Sequence, residues 1–478
     1  MAGPLFPTPG PVLVAGLGVT GRAVAEVLTH LGFSFATADQ NARAGADYSD
    51  LPALVSSPEF TKFSGIITSP GLAPGSILLS AAAAIDLPVI SEVELAWQLR
   101  RESAAGVPAP WLALTGTNGK TSTVGMLTSI LRTAGHQVAE VGNVGEPIVQ
   151  AVLDPSNEVL AVELSSFQLH YTSSMSAFSS AILNISPDHL DWHGDFTQYA
   201  AAKAKIYHQT QVAALFNVND PRTQDLLEEA DVVEGARAVG ITTGIPSAGN
   251  FGVIEDLLVD RSFHLPLTDR NRTQSGAELA TLADLAHLAT PSGLPPHLVF
   301  NALAAAALAR SYQVTPAQVR DGLRAFQPER HRIELVPTSD GISWINDSKA
   351  TNTHAAQASL NSAAAGTVVW IAGGVTKGAE FDDLVSSVRQ KLRAVVVIGV
   401  DADALTGALS RHAPDIPVFR VDPGETEQVM TQAVTFAKRS AQPGDTVLLA
   451  PACASQDQFR SYVHRGEVFV SAVASEVG

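Results

Sequence analysis

The feature that most constrains the fold is a glycine-rich loop set between a buried strand and a helix. The apolar run WLAL at residues 111–114 is followed by TGTNGKT at 115–121, and then by a helical pattern at 123–134 that stops at Gly135. This order starts a βα unit whose loop binds phosphate. Leu114 stands where the first glycine of the standard pattern would fall, but the Gly-Lys-Thr core remains. The segment therefore predicts an α/β domain that binds a nucleotide.

The residue types of this loop suit phosphate chemistry. Backbone N–H groups of such a turn cradle phosphate oxygens, and the Lys120 ammonium neutralises charge on the β- and γ-phosphates. The Thr121 hydroxyl can ligate Mg²⁺. We therefore expect the nucleotide to be bound together with magnesium.

Alternation of short apolar runs and helical segments begins three times along the 478 residues. A stretch rich in Ala, Pro and charge at 100–110 interrupts the first series, and the segment FQP at 326–328 precedes the third. The pattern predicts an α/β fold with three domains: a Rossmann-like N-terminal domain (1–104), a central P-loop ATPase-type domain (105–328) and a Rossmann-like C-terminal domain (329–478). The predicted strands are 12–15, 65–68, 87–90, 111–114, 159–162, 180–183, 213–216, 368–371, 394–398 and 446–449. An Ala-rich helix is expected at 301–310, and an irregular or small antiparallel insertion at 232–288.

Composition narrows the location and the partners. The formal net charge of −17 disfavours non-specific attraction to nucleic acid or to an anionic membrane, since both need a basic field. The single cysteine, Cys453, fits a reducing compartment. No basic N-terminal segment precedes an apolar run, and no stretch offers the roughly 18 apolar residues of a membrane span. We expect a cytoplasmic protein, a monomer, with neither nucleic acid nor membrane as a partner.

A second glycine loop, GLGVTG at residues 16–21, follows the first apolar strand and precedes a helix. It matches the dinucleotide fingerprint, and Asp39 follows at about the distance expected of a ribose contact. This pattern leaves two alternatives open. One is a nicotinamide cofactor, which would make the chain a dehydrogenase, and the other is a different ligand that carries a diphosphate.

Seven motifs in a fixed order give the chain a resemblance to a known family. It resembles the Mur ligases of peptidoglycan assembly, and most closely the members that add D-glutamate to UDP-N-acetylmuramoyl-L-alanine. The motifs are GLGVTG (16–21), TGTNGKT (115–121), GNVG (142–145), ELSSFQ (163–168), DHLD (188–191), NDSKATN (346–352) and PACAS (451–455). The resemblance implies an ATP-dependent amide ligase in which ATP first converts a carboxylate to an acyl phosphate.

The resemblance also implies roles for individual residues. The implied cofactors are ATP, two Mg²⁺ ions and a CO₂-derived carbamate on Lys203. The implied catalytic residues are Lys120, Glu163, His189, Lys203 and Lys349. The implied metal ligands are Thr121, Glu163, His189 and Lys203. The implied ATP contacts are Gly116, Thr117, Asn118, Gly119, Lys120, Thr121, Ser122, Asn301, Arg332 and Asp347.

Substrate contacts follow by the same route. The implied contacts to the UDP-linked substrate are Gly18, Thr20, Asp39, Ser69, Gly71, Asn143, Ser165 and Gln168. The implied contacts to D-glutamate are Thr351, Lys377, Ser455 and Tyr462. Departures from the family pattern affect base recognition: Leu298 stands where a second asparagine is common, and Gln40 with Asn41 replaces a Thr-Arg pair. His193 and Lys205 are interpreted as ordinary turn and surface residues.

Other interpretations share part of these motifs. A Mur ligase for a different amino acid, or a folylpolyglutamate synthetase, would contain the same central loop. A regulatory protein that has kept the fold and lost turnover would not need the set formed by Lys120, Glu163, His189 and Lys203. The loop at 16–21 and the motif at 451–455 favour the D-glutamate-adding members.

Overall fold

The computed structural model describes residues 5–104, 106–289, 293–328, 330–338, 341–361, 363–376 and 378–477. They form three sheets, which confirms the expected α/β class. The described residues fall into two compact units, bounded as Met1–Asp284 with Phe300–Phe326, and Leu285–Val299 with Gln327–Gly478. Among the described residues, no helix has both the length and the apolarity to cross a membrane.

The first sheet has four parallel strands in the order β2-β1-β3-β4. Strands β1 and β3 are buried along their whole length, which explains why they read as continuous apolar runs. The strands are β1 (Val12–Ala15), β2 (Phe35–Ala38), β3 (Gly65–Thr68) and β4 (Val89–Ser91). The helices are α1 (Val19–Leu31), α2 (Leu51–Val55), α3 (Ile77–Ala84) and α4 (Glu92–Leu99).

The second sheet has nine strands in the order β13-β12-β11-β10-β9-β8-β5-β7-β6. The strands from β5 to β11 pair in parallel, whereas the pairs β11–β12 and β12–β13 are antiparallel. The expected antiparallel insertion is therefore present, as an extension of the central sheet. The strands are β5 (Trp111–Thr115), β6 (Val138–Gly142), β7 (Val159–Glu163), β8 (Ser179–Ile182), β9 (Ala213–Asn217), β10 (Arg237–Ile241), β11 (Phe251–Ile254), β12 (Leu257–Asp260) and β13 (Ala277–Thr281).

Eight helices accompany the described part of this sheet, and most are short. The expected Ala-rich helix is confirmed as α11; residues 302–309 are almost completely buried, as in a helix that is apolar on all sides. The helices are α5 (Lys120–Thr133), α6 (Ile148–Ala151), α7 (Ser166–His170), α8 (Leu190–His193), α9 (Phe196–Ala204), α10 (Pro221–Glu228), α11 (Pro296–Ser311) and α12 (Pro316–Ala325).

The third sheet has six strands in the order β14-β15-β19-β16-β17-β18, with β14 antiparallel at one edge. Hydrophobic cores lie on both of its faces, which confirms the buried parallel strands expected there. The strands are β14 (Glu334–Val336), β15 (Ser343–Asn346), β16 (Val368–Ala372), β17 (Leu392–Val397), β18 (Val418–Arg420) and β19 (Thr446–Leu449). The helices are α13 (Thr353–Asn361), α14 (Asp382–Val388), α15 (Asp403–His412), α16 (Thr426–Ser440) and α17 (Tyr462–Glu476).

The first two sheets belong to the same compact unit, so the boundary expected after residue 104 lies inside that unit. The boundary expected after residue 328 falls close to the start of the second unit's long segment at Gln327. The three domain ranges remain predictions of the sequence, whereas the three sheets are observed.

Candidate active site

The phosphate loop lies between the carboxyl end of β5 and the first residue of α5. Gly119 has a left-handed φ of +83°, and a Cβ at that position would come 2.6 Å from Oδ1 of Asn301. Backbone conformation and close approach both require glycine there. The sequence-predicted nucleotide contacts Gly119 and Asn301 are therefore neighbours. Thr121 is buried and Ser122 half-buried in the first turn of α5.

Two residues without a predicted role hold this loop in shape. The Asn118 N–H donates to Oδ1 of Asn184 at 2.9 Å, and Nδ2 of Asn184 donates to the Asn118 carbonyl at 3.0 Å. The Thr117 hydroxyl lies 2.9 Å from the Tyr199 hydroxyl. A side chain that follows β8 and one on α9 thus fix the loop that would cradle phosphate.

Two lysine ammonium groups meet at one carbonyl of the loop. Lys120 Nζ donates to the carbonyls of Gly116 at 2.8 Å and Thr117 at 3.0 Å. Lys203 Nζ donates to the same Gly116 carbonyl at 2.9 Å and to the Thr115 hydroxyl at 3.2 Å. Burial, and then the charge of Lys120, hold the pKa of Lys203 well below its usual range. Its amine therefore tends toward the neutral form.

Glu163 ends β7 and is buried. Its Oε1 accepts from Nδ2 of Asn143 at 2.8 Å, whereas its Oε2 is buried with no hydrogen-bond partner among the described residues. A buried carboxylate oxygen without a partner is costly unless a cation or a water meets it. Gly142 permits its own backbone to lie close to that of Glu163, because a Cβ there would lie 2.1 Å from the Glu163 carbonyl oxygen. Oε2 of the Glu163 side chain therefore suits a hard cation such as Mg²⁺.

His189 precedes α8 with a left-handed φ of +53°. Its Nε2 lies 3.7 Å from Oδ2 of Asp188, and its ring meets the Phe167 ring at 4.7 Å. Within the described ranges, no three His, Cys, Asp or Glu side chains are grouped so as to hold a metal ion. The expected ligand set of Thr121, Glu163, His189 and Lys203 thus includes no preformed cluster of that kind.

Ser165 and Gln168, expected to contact the UDP-linked substrate, form a capping box at the start of α7. The Ser165 hydroxyl accepts from the Gln168 N–H at 3.2 Å, and Oε1 of Gln168 accepts from the Ser165 N–H at 2.9 Å. Such reciprocal bonds satisfy backbone donors at a helix start. Both side chains therefore have a structural function in this conformation.

The N-terminal glycine loop and Asp39 come together at the first sheet. Oδ2 of Asp39 accepts from the Leu17 N–H at 2.6 Å, and the Ser69 hydroxyl donates to the Gly16 carbonyl at 2.8 Å. A Cβ at Gly18 or Gly71 would meet open space, so a ligand can approach both backbones. Thr20 is half-buried in the first turn of α1.

Asp347 is buried in the second unit and accepts from the Ser359 hydroxyl. Burial raises its pKa to about 6, against the opposing effects of the Ser359 hydroxyl, the Arg332 charge and the Ile333 N–H. His331 and Ile333, on either side of Arg332, have left-handed φ values of +66° and +49°. Strained backbone of this kind is often found at functional sites.

Lys349 and Tyr462 are in contact, with Nζ 4.0 Å from the ring centroid. The Thr351 N–H donates to the Lys349 carbonyl at 2.8 Å, and Ser455 is buried. The structure thus brings a predicted catalytic lysine to two of the predicted D-glutamate contacts. Lys377 lies outside the described residues.

Four residues of these surroundings had no role in the sequence prediction: Asn184, Asp188, Tyr199 and Arg465. Asn184 and Asp188 lie in the same polar turn as His189, and Tyr199 is one helical turn from Lys203, so helical spacing could have identified it. The Arg465 side chain is fully buried and donates to the Ser348 hydroxyl and to the Ser348 and Cys453 carbonyls. No sequence signal distinguishes this arginine.

Comparison with known proteins gives consistent results. Residues 114–309 match the Mur ligase middle domain, and residues 331–453 match the Mur ligase glutamate ligase domain. A UDP-N-acetylmuramoylalanine–D-glutamate ligase of Streptomyces avermitilis is 50% identical, with 97% of each chain covered. A Mycolicibacterium smegmatis protein of the same name is 42% identical, over 100% of this chain and 99% of its own.

A solved structure supports the fold. The UDP-N-acetylmuramate–alanine ligase of Thermotoga maritima superposes with a TM-score of 0.55 at 16% identity, covering 97% of this chain and 99% of its own. Together with the two domain matches and the full-length relatives, this shows that the chain belongs to the Mur ligase family.

Proposed function

We propose that this chain joins D-glutamate to UDP-N-acetylmuramoyl-L-alanine with consumption of ATP, a cytoplasmic step of peptidoglycan precursor synthesis. The names of the full-length relatives support the substrates. One observation supports the chemistry: Lys120 and Lys203 share the Gly116 carbonyl. That arrangement places the Lys120 side chain at the phosphate loop, where phosphoryl transfer needs positive charge, with the buried Lys203 amine beside it.

The reaction has two steps. A carboxylate oxygen of the alanine attacks the γ-phosphorus, the bond from phosphorus to the bridging oxygen breaks, and ADP leaves. The D-glutamate nitrogen then attacks the acyl carbon, loses a proton, and phosphate departs with the electrons of the carbon–oxygen bond. Lys120 exchanges its two carbonyl partners for phosphate oxygens and stabilises the negative charge that moves during transfer.

Glu163, Thr121 and His189 would hold magnesium. Oε2 of Glu163, which has no hydrogen-bond partner in the described part of the chain, supports this assignment, and Thr121 lies in the first turn of α5. A bound magnesium ion would neutralise phosphoryl charge and orient the transferred group. We propose that His189 would hold a second magnesium ion.

Lys203 is the proposed site of carbamylation. Its neutral amine attacks CO₂, a nitrogen–carbon bond forms, and a proton is released to leave an anionic carbamate. Burial and the charge of Lys120 both disfavour an ammonium at Lys203. They support the step, because only the uncharged amine is nucleophilic. The product would supply the oxygen ligand that magnesium prefers.

Residues of the second unit complete the proposal. Arg332, Asp347 and Lys349 would contact ATP and the transferred phosphoryl, and Thr351, Lys377, Ser455 and Tyr462 would contact D-glutamate. The contact between Lys349 and Tyr462 supports a common site for the phosphoryl and the amino acid.

The first sheet would bind the UDP-linked substrate. Its open glycine backbones at Gly18 and Gly71 suit a diphosphate at the start of α1. Thr20 lies in the first turn of α1, Asp39 follows β2 and Ser69 follows β3. The remainder of the substrate would be contacted by Asn143, Ser165 and Gln168. We further propose that the enzyme acts as a monomer.

The test is phosphate release with ATP, Mg²⁺ and UDP-N-acetylmuramoyl-L-alanine against a panel of D- and L-amino acids. We expect release with D-glutamate alone. Release with a different amino acid would move the chain to another member of the family, and release with none would refute ligase activity on this substrate.

A further inference from the structure

His193 lies at the end of α8 and joins three elements of the candidate active site. It is buried, and its Nε2 lies 2.9 Å from the Ser166 hydroxyl in the first turn of α7. Its ring stacks on Phe167 with centroids 5.6 Å apart and an interplanar angle of 12°. It also meets the Tyr199 ring edge-on at 5.4 Å.

Each of these partners lies close, in sequence or in space, to a residue with a proposed role in catalysis. Ser166 follows Glu163 by three residues, and Phe167 also contacts the His189 ring. Tyr199 bonds to the Thr117 hydroxyl of the phosphate loop and carries Lys203 Nζ 4.9 Å above its ring. The same imidazole therefore contacts Phe167, which packs on His189, and Tyr199, which packs on Lys203.

Helix α8 is too short to be stabilised by its own backbone hydrogen bonds. It has four residues, begins after a left-handed His189 and ends at Gly194, whose φ is +89°. A single turn of helix contributes little stability by itself, so tertiary contacts must set the direction of the His189 side chain. His193 is on this turn, and its N–H donates to the His189 carbonyl at 3.1 Å.

We propose that His193 is a positioning residue that holds Ser166, His189 and Tyr199 in the arrangement needed to bind magnesium nucleotide. The proposal rests on the nucleotide use of the proposed function and adds a residue to it. His193 acts through its neighbours and need not touch substrate.

Three variants separate its hydrogen bond from its ring contacts. His193→Gln places an amide nitrogen where Nε2 lies and keeps the hydrogen bond to Ser166, whereas His193→Phe keeps the stacked ring and loses that bond. His193→Ala loses both. The matched control is His208→Gln, which makes the same substitution at a histidine that has none of the contacts described for His193. His208 borders a cavity on the face of α9 that Ala200, Ala201 and Ala204 line.

The measurement is equilibrium binding of a non-hydrolysable ATP analogue to the full chain, with Mg²⁺ and without it, together with Tm. Supports of metal ligands typically change affinity by about 10–100-fold. We expect His193→Ala to weaken binding about 10-fold in Mg²⁺ and to change it little without Mg²⁺. We expect His193→Phe and His193→Gln, which each keep one kind of contact, to weaken binding in Mg²⁺ by about 3- to 10-fold, and His208→Gln to stay within about 3-fold of the wild type.

In turnover, we expect His193→Ala to lower kcat and leave the KM for D-glutamate unchanged, because the proposed D-glutamate contacts belong to the second unit. Wild-type binding by His193→Ala, or equal weakening with and without Mg²⁺, would overturn the proposal. If the Ala variant does not fold, the Phe variant gives the same decision. Absence of analogue binding to the wild type would instead refute the proposed function.

Discussion

At the residue scale, the two lysines at the Gly116 carbonyl differ in what burial does to them. Lys203 is completely enclosed, and its pKa is held well below the usual range by burial and by Lys120. Lys120 is at the helix start and binds two loop carbonyls. Lys203 is thus suited to react as a neutral amine, whereas Lys120 binds the loop that would hold phosphate.

Replacing Lys203 by Ala should lower the rate of phosphate release by about 100-fold, in the range usual for loss of a metal support. Acetate or formate at high concentration should restore part of the rate, because a small carboxylate can fill the space and replace the carbamate oxygen. Lys205→Ala, two residues along the chain, is the control and should stay within about 2-fold. An unchanged rate in Lys203→Ala would remove Lys203 from the metal site.

Replacing Glu163 by Gln should separate activity from stability. The amide keeps an oxygen for Asn143 and removes a buried charge whose Oε2 has no partner among the described residues. We expect Tm to stay equal or rise, since unpaired buried charge is destabilising. We expect the rate of phosphate release to fall about 100-fold across a Mg²⁺ titration.

The control for this variant is Glu158→Gln, at a half-exposed carboxylate near His136. The metal assignment of Glu163 would be wrong if the Gln variant kept the wild-type rate and the wild-type dependence on Mg²⁺. A fall in Tm by itself would point to a structural function of the carboxylate.

At the scale of elements, helix α4 carries two buried carboxylates in its first turn with opposite pKa shifts. Burial raises the pKa of Glu92 to about 7, although the Val149 and Ile148 N–H groups oppose it. Burial would also raise the pKa of Glu94, but hydrogen bonds from Ser173, Ser174 and Gln98 outweigh it and lower the pKa. Position on the helix determines which carboxylate is stabilised as an anion.

Glu92 makes the stability of the first unit depend on pH. Its folded pKa lies above the ordinary value of 4.5, so the folded chain binds more protons than the unfolded chain between about pH 4.5 and 7, and stability falls as pH rises through this window. Glu92→Gln cannot ionise. We expect it to be more stable than the wild type by about 3 kcal/mol at pH 8, and the difference to diminish toward pH 5.

Thermal unfolding of both proteins from pH 5 to pH 8 measures this difference, and other titrating groups largely cancel in the comparison. Glu59→Gln is the control, at a solvent-exposed carboxylate paired with Lys62. An advantage of Glu92→Gln that was constant with pH would exclude titration of Glu92 as its cause.

How well an element could be predicted from the sequence depended on its length and on the sequence separation of the residues that it contacts. Strands such as β5 and β16 are buried at every position and almost wholly apolar, so a run of apolar residues in the sequence identifies them. Helices α6, α7 and α8 have four or five residues, too few for a helical period to be recognised. The phosphate loop was predictable since its residues are consecutive.

The surroundings of the loop were not predictable for the opposite reason. Asn184 reaches Asn118 across 66 residues, and Tyr199 reaches Thr117 across 82. Only the order of the strands β5 and β8, which are neighbours in the sheet, brings the first pair together. Local pattern contains no information about such pairings, so the support of the site appeared only in the folded chain.

At the scale of the whole molecule, the first and second sheets belong to one unit because the start of α4 is bonded to the segment after α7. The Ser91 N–H donates to the Tyr171 carbonyl at 2.9 Å, and the Ser91 and Thr172 hydroxyls are 3.0 Å apart. Glu94 accepts from the N–H groups of Ser173 at 2.8 Å and Ser174 at 2.9 Å. A buried anion thus connects the two sheets.

Glu94→Ala should therefore weaken the first unit as a whole. A hydrogen bond to a charged group contributes about 1.5–3 kcal/mol, and the variant leaves two backbone donors without their acceptor, so we expect a loss of roughly 3 kcal/mol. Hydrogen exchange should show faster opening in β1, β3, β5 and β7 together, with the strands β16 and β19 of the second unit unchanged. Faster exchange in the first sheet alone would mean that the two sheets are independent domains, as the sequence first suggested.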